Sequence, residues 1–151
     1  MSICLRIIFF LTLFAGPGFG FNEEDASNQW GIAFIWLQTG RNLSDAGQAP
    51  LALGSYIEAL EQFEIVAKHY PDYETTMVQY RIEALRKDIA KFRAELSPDD
   101  ITIANEYVEF INLLKKAEEE RYEARRASAL NLFRTAQSGL EAIVARRPEA
   151  F

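Results

Sequence analysis

The stretch GSYIEALEQFEIVAKHYPDY, residues 54–73, has a close counterpart in NLFRTAQSGLEAIVARRPEAF, residues 131–151. A shift of 77 residues, from Gly54 to Asn131, keeps the order small, aromatic, small, large apolar, aliphatic, proline. The matched pairs are Ala52, Gly54, Tyr56, Ala59, Phe63, Glu64, Val66 and Pro71 with Ala129, Asn131, Phe133, Ala136, Leu140, Glu141, Ile143 and Pro148. Steps of three and four residues are typical of a helix, and proline ends a helix. The two stretches therefore predict two similar helices.

The rest of the chain also favours helices, and it carries almost no strand pattern. Five helices are predicted, at about residues 26–46, 50–70, 73–95, from 97 onward, and up to 148. Residues 30–37, WGIAFIWL, are apolar nearly all round, so we expect this part of the first helix to be buried on more than one side. The expected fold class is all-α. No glycine or proline interrupts residues 115–126, so the fourth and fifth helices could be separate or continuous.

The repeated pattern resembles the second half of a tetratricopeptide repeat, in which small residues let paired antiparallel helices approach closely and a proline ends the unit. The resemblance implies antiparallel helical hairpins, as in a fragment of an α-α superhelix. It divides the chain into a first hairpin with a covering helix, residues 21–96, and a second hairpin, residues 97–151. The family's unit is about 34 residues long, so a shift of 77 implies elongated hairpins around an extra helix. An ordinary small helical bundle is the alternative.

Residues 1–20 have the composition of a signal peptide. Arg6 is the only charged residue, an apolar stretch follows at residues 7–20, and a small-x-small site lies at residues 18–20. We expect cleavage after Gly20 and export to the periplasm or the outside of the cell, with no stable membrane span afterwards. An uncleaved anchor is the alternative, and Pro17 disfavours it.

Composition excludes several kinds of chemistry. The formal net charge of −6 disfavours nucleic acid, whose binding depends on neutralising phosphates. The only cysteine, Cys4, lies in the predicted signal peptide, and His69 is the only histidine. A transition-metal site of ordinary spacing is therefore not expected, and neither is a cofactor. A small hydrolase using paired carboxylates is a less favoured possibility, because the carboxylates occur in runs typical of a solvated surface.

Two groups of residues are candidates for partner binding. Tyr70, Tyr73 and Tyr80 cluster around the Pro71 turn, where they could form an exposed ledge for a peptide or simply join the core. The second group consists of residues of the fifth helix, for which the sequence offers no covering helix like residues 73–95: Phe133, Leu140 and Ile143.

The function predicted from these features is that of an exported, non-catalytic protein-protein interaction module, an adaptor or an assembly scaffold. Its partner would be a protein or peptide, and a homodimer through the fifth helix is possible. The alternative is a self-assembling helical protein of the cell envelope.

Overall fold

The computed structural model describes residues 23–146 and 148, and these residues form five helices and no strand. The helices are α1 (Glu23–Asp45), α2 (Ala49–His69), α3 (Thr75–Glu95), α4 (Pro98–Tyr122) and α5 (Arg126–Arg146). The predicted all-α class with about five helices is confirmed. The predicted signal peptide lies outside the described residues.

The turn between α1 and α2 satisfies the last carbonyls of α1 through backbone hydrogen bonds. Gly47 N donates to Ser44 O over 3.0 Å, and Gln48 N donates to Leu43 O over 2.8 Å. Together they form a Schellman motif. Its central residue needs the left-handed conformation, and Gly47 has a φ of 76°.

The turn between α4 and α5 has the same pattern of bonds. Ala124 N donates to Arg121 O over 3.2 Å, and Arg125 N donates to Glu120 O over 2.9 Å. The left-handed position, with a φ of 61°, is here held by Ala124 instead of a glycine. The turn answers the question that the sequence left open, because the fourth and fifth helices are separate.

The shift of 77 residues therefore aligns structural boundaries as well as sequence. It takes the last residue of α1, Asp45, to the last residue of α4, Tyr122. It takes α2, Ala49–His69, to the bounds of α5, Arg126–Arg146. Matching turns thus join α1 to α2 and α4 to α5, and the second helices of the two pairs have matching bounds.

The described chain divides into two compact units, the first ending at Asn105 and the second beginning at Glu106. In the first unit, α2 packs against both α1 and α3. Gly40 lets α1 approach α2 closely, since a Cβ on Gly40 would lie 2.7 Å from the Tyr56 ring. The same ring meets Phe92 of α3 edge to face, with ring centres 5.4 Å apart. Tyr56 thus joins all three helices.

In the second unit, α4 and α5 pack in an antiparallel pair. The Phe110 ring occupies the space where a Cβ of Gly139 would be. Glu106, one turn earlier on α4, forms an ion pair with Arg146 near the end of α5. The buried side chains of this unit are Tyr107, Ile111, Leu114, Ala117, Ala129, Ala136, Leu140 and Ile143.

Ser97 caps the start of α4. Asp100 N donates to Ser97 Oγ over 3.2 Å, and the Ser97 hydroxyl donates to Asp100 Oδ2 over 2.8 Å. Pro98 occupies the first helical position, where its missing amide hydrogen costs nothing. Ser97 is therefore the N-cap residue of α4.

Candidate partner-binding face

The Pro71 turn brings an aromatic residue back to α1. Pro71 follows the end of α2, and the chain reverses through a turn in which Tyr73 N donates to Tyr70 O over 3.0 Å. The Tyr73 ring then lies edge to face with Trp30 of α1, with ring centres 6.5 Å apart. Trp30 also packs against Phe63 of α2 at 5.0 Å. These rings fix the start of α3 beside the first half of α1.

Three large apolar side chains are exposed near this ring cluster. Phe34, one helical turn after Trp30, is 37% exposed, Met77 is 44% exposed and Tyr80 is 61% exposed. Met77 and Tyr80 lie three residues apart, on one side of the first turns of α3. We call the residues Trp30, Phe34, Tyr73, Met77 and Tyr80 the aromatic edge.

Arg81 supplies a charged group at the aromatic edge. Its guanidinium lies 5.8 Å from the centre of the Tyr80 ring, within the range of a cation-π contact. Arg81 Nε is buried without a hydrogen-bond partner.

Charged residues of α1 and α3 lie near Tyr56, away from the Trp30 and Tyr73 rings. Burial is the main cause that raises the pKa of the Tyr56 hydroxyl, and the nearby carboxylate of Asp88 on α3 adds to it. On α1, Arg41 lowers the pKa of this hydroxyl and Asp45 raises it. Residues near the ends of α1 and α3 thus act on one α2 side chain, while Trp30 and Tyr73 meet near their starts. The two helices therefore run in the same direction along α2.

The six predicted partner-binding residues are placed very differently. Tyr80 is exposed, whereas Tyr70, Tyr73 and Phe133 are partly buried. Leu140 and Ile143 are only 4% and 0% exposed, because they lie on the side of α5 that forms the core of the second unit. In this conformation they offer no surface to a partner.

Sequence reasoning did not single out Phe34 and Met77. Phe34 stands in the WGIAFIWL run, which was expected to be buried on more than one side, and that expectation is wrong for this residue. Met77 lies one residue before Val78, where the apolar stripe of α3 begins. Its distance of three residues from Tyr80 was the available signal.

A row of polar side chains is buried along α2. Ser55 and Glu58 are both 0% exposed and Gln62 is 7% exposed. Gln62 Oε1 accepts a hydrogen bond from Gln29 Nε2 over 2.6 Å, which ties α2 to α1. Within residues 23–146 and 148, no group of three or more metal-ligating side chains is arranged to hold an ion.

No protein-family model, curated protein or solved structure matches the chain. Among the helices of the described residues, none has the length and apolar content that crossing a bilayer requires.

Proposed function

We propose that the protein is a non-catalytic interaction module that binds an extended peptide or protein segment on the aromatic edge. The observation that supports it is the exposure of Phe34, Met77 and Tyr80 on two helices that α2 holds in place. Soluble proteins rarely expose contiguous apolar patches without a use for them.

The composition of the aromatic edge suits protein binding. Aromatic residues, methionine and arginine are enriched at interfaces, and the edge offers Tyr80, Met77 and Arg81 side by side. These side chains project from helices rather than loops, so binding orders little of the backbone and loses little entropy. The likeness to tetratricopeptide repeats supports the same role, because stacked helical hairpins serve as binding surfaces.

Export is part of the proposal. It rests on the signal-peptide pattern of residues 1–20, with an apolar stretch that follows Arg6 and ends in small residues. The module would then act in the periplasm or outside the cell as an adaptor or assembly scaffold. Detection of the mature chain beginning near Phe21 in an extracytoplasmic fraction, by mass spectrometry of its first peptide, is the expected result.

Selection of peptides against the full chain tests the binding proposal. A peptide library displayed on phage is panned on the wild-type protein, and the selected peptides are then measured with three variants. Met77→Glu and Tyr80→Ala should each weaken binding about tenfold, because they remove apolar contact from the edge. Tyr122→Ala is the matched control: Tyr122 is also exposed, at 51%, and also has a neighbouring arginine over its ring.

Two results would remove the proposal. One is the failure of repeated selections to yield any peptide that binds in solution. The other is binding that Tyr122→Ala weakens as much as Met77→Glu does, since the aromatic edge would then have no special role. Far-UV circular dichroism of each variant checks that the helices are intact.

A further inference from the structure

One side of α2 is covered by α3. Two contacts define this side: the Tyr56 ring meets Phe92, and Arg86 Nη2 donates to Glu64 Oε1 over 2.8 Å. Helical spacing places the following residues on that side of α2: Leu53, Tyr56, Leu60, Glu64 and Ala67. This is the surface on which α3 lies.

The shift of 77 residues takes this surface to an equivalent one on α5. We call its residues the α5 face: Leu130, Phe133, Gln137, Glu141 and Val144. Leucine, an aromatic ring, a glutamate and a small aliphatic residue recur at the same positions. Only Gln137, in place of Leu60, departs from the chemistry of the α2 surface.

Burial differs between the two surfaces at their leucine and aromatic positions. Leu53 is 0% exposed, whereas its equivalent Leu130 is 48% exposed. Tyr56 is 6% exposed, whereas its equivalent Phe133 is partly exposed, and Ala67 and Val144 are both partly exposed. The α5 face therefore keeps the chemistry that holds a helix on α2, but its leucine lies open to solvent.

We propose that the α5 face binds an amphipathic helix of another protein molecule, of the kind that α3 represents. Such a helix carries an aromatic residue for the space beside Phe133 and, six residues before it, an arginine for Glu141. Phe92 and Arg86 have this spacing in α3. The inference rests on the proposed role as an interaction module and adds a second surface with a defined partner chemistry.

A peptide of residues 73–97, labelled with fluorescein, is a direct probe of the α5 face. It is titrated into the full chain, and binding is followed by fluorescence anisotropy. The wild type should bind it, and Leu130→Glu should weaken binding about tenfold. Since isolated helices of this length are marginal in water, the peptide should also gain helical circular dichroism on binding. Ala142→Glu is the matched control, because Ala142 is exposed on α5 well away from the α5 face.

A charge exchange tests the position of the bound helix. Peptide Arg86→Glu should bind the wild-type chain more weakly, and the chain variant Glu141→Arg should restore its binding. If apolar attraction alone held the peptide, without a fixed position on the α5 face, Glu141→Arg would give no such rescue. The same probe could instead displace α3 from α2, and in that case Glu64→Arg would give the rescue. Rescue by Glu64→Arg alone overturns the proposal.

The proposal is also overturned if the wild type does not bind the peptide, or if Leu130→Glu and Ala142→Glu bind it equally well. These failures are distinct from failure of the proposed function, because peptides selected on the aromatic edge are measured separately. If the α3 peptide does not bind, but binding of the selected peptides still depends on Met77 and Tyr80, the proposal for the α5 face fails. The proposal for the aromatic edge then stands.

Discussion

The two hairpins share their turns and their helix boundaries but differ in how their second helices are buried. Seven consecutive residues of α2, residues 50–56, are buried, and burial of consecutive positions means that the helix is enclosed on several sides. On α5 the buried residues Ala129, Ala136, Leu140 and Ile143 form a single stripe. A similar local sequence thus specifies a similar hairpin, and its neighbours decide which apolar residues become core.

The hairpins also differ in how their helices approach each other. In the first hairpin the glycine is on the first helix, Gly40, and the ring is on the second, Tyr56. In the second hairpin the ring is on the first helix, Phe110, and the glycine is on the second, Gly139. The same close contact between a ring and a helix backbone is built with the roles reversed.

The sharpest test of this difference compares the equivalent aromatic residues. Tyr56→Ala should lower the free energy of unfolding by about 3–5 kcal/mol, because it empties a space enclosed by three helices. Phe133→Ala should lower it by about 1 kcal/mol, since this ring is partly exposed and its removal leaves little cavity. Urea denaturation followed by circular dichroism at 222 nm measures both.

Equal losses for the two variants would contradict the difference in burial. A large loss for Phe133→Ala would mean that the α5 face is covered in solution, and sedimentation of the wild type would then show whether a second copy is responsible. Phe34→Ala, which truncates an exposed ring on α1, is the control for the general effect of removing an aromatic residue.

Adding a methyl group at each glycine tests the reversed contact. Gly40→Ala should destabilise the protein by about 1–2 kcal/mol, because the Tyr56 ring is enclosed between α1 and Phe92 and has little room to move. Gly139→Ala should change stability by less than about 0.5 kcal/mol. There the partly exposed Phe110 ring can turn outward, and alanine favours a helix over glycine by about 1 kcal/mol.

Thermal unfolding of Gly40→Ala and Gly139→Ala measures the change in stability of each variant. A loss of stability in Gly139→Ala as large as that in Gly40→Ala would show that Phe110 is held as firmly as Tyr56. Gly31→Ala is the control, because a Cβ at Gly31 meets no other atom within 4 Å.

Most of the fold could be predicted from the sequence because its signals are local. Apolar residues at steps of three and four predict the helices. Pro71 predicts the end of α2, and Ser97 marks the start of α4. The break after Tyr122 could not be predicted, because Ala124 adopts a conformation that usually requires glycine. No residue type marks that turn.

The candidate site was harder to predict, because exposure depends on contacts between helices. Leu53 and Leu130 are the same residue in equivalent helices, and only one of them is buried. Phe34 lies in an apolar run that local reasoning assigns to the core. Tyr80 is a candidate from the sequence because it lies near other tyrosines. Leu130 has no such signal, since its exposure depends on which helices pack against α5.

The two left-handed turn positions offer a reciprocal test of the shared hairpin geometry. Gly47→Ala should destabilise the first hairpin by about 1 kcal/mol, since a Cβ disfavours a positive φ. The new Cβ would have nothing within 4 Å, so the backbone alone sets this cost. Ala124→Gly should stabilise the second hairpin by about the same amount. Urea denaturation measures both, and the same sign of change for the two variants would show that the turns are not equivalent.

The smallest expected difference between the hairpins concerns pH. Arg125 bonds to Glu120 across the second turn and lowers the pKa of this carboxyl group, whereas the equivalent positions in the first turn are Leu43 and Gln48. A lowered pKa stabilises the folded state above the ordinary pKa of glutamate, about 4.3, and this contribution disappears as the pH falls through the lower folded value.

The wild type should therefore lose slightly more stability than Glu120→Gln between neutral and strongly acidic pH. The effect is small because the Arg125 side chain is exposed to solvent, and high salt should reduce it further. Urea denaturation at a series of pH values measures it, with the exposed neighbour Glu119→Gln as control. If Glu120→Gln and Glu119→Gln follow the same pH dependence, the ion pair does not distinguish the second turn from the first.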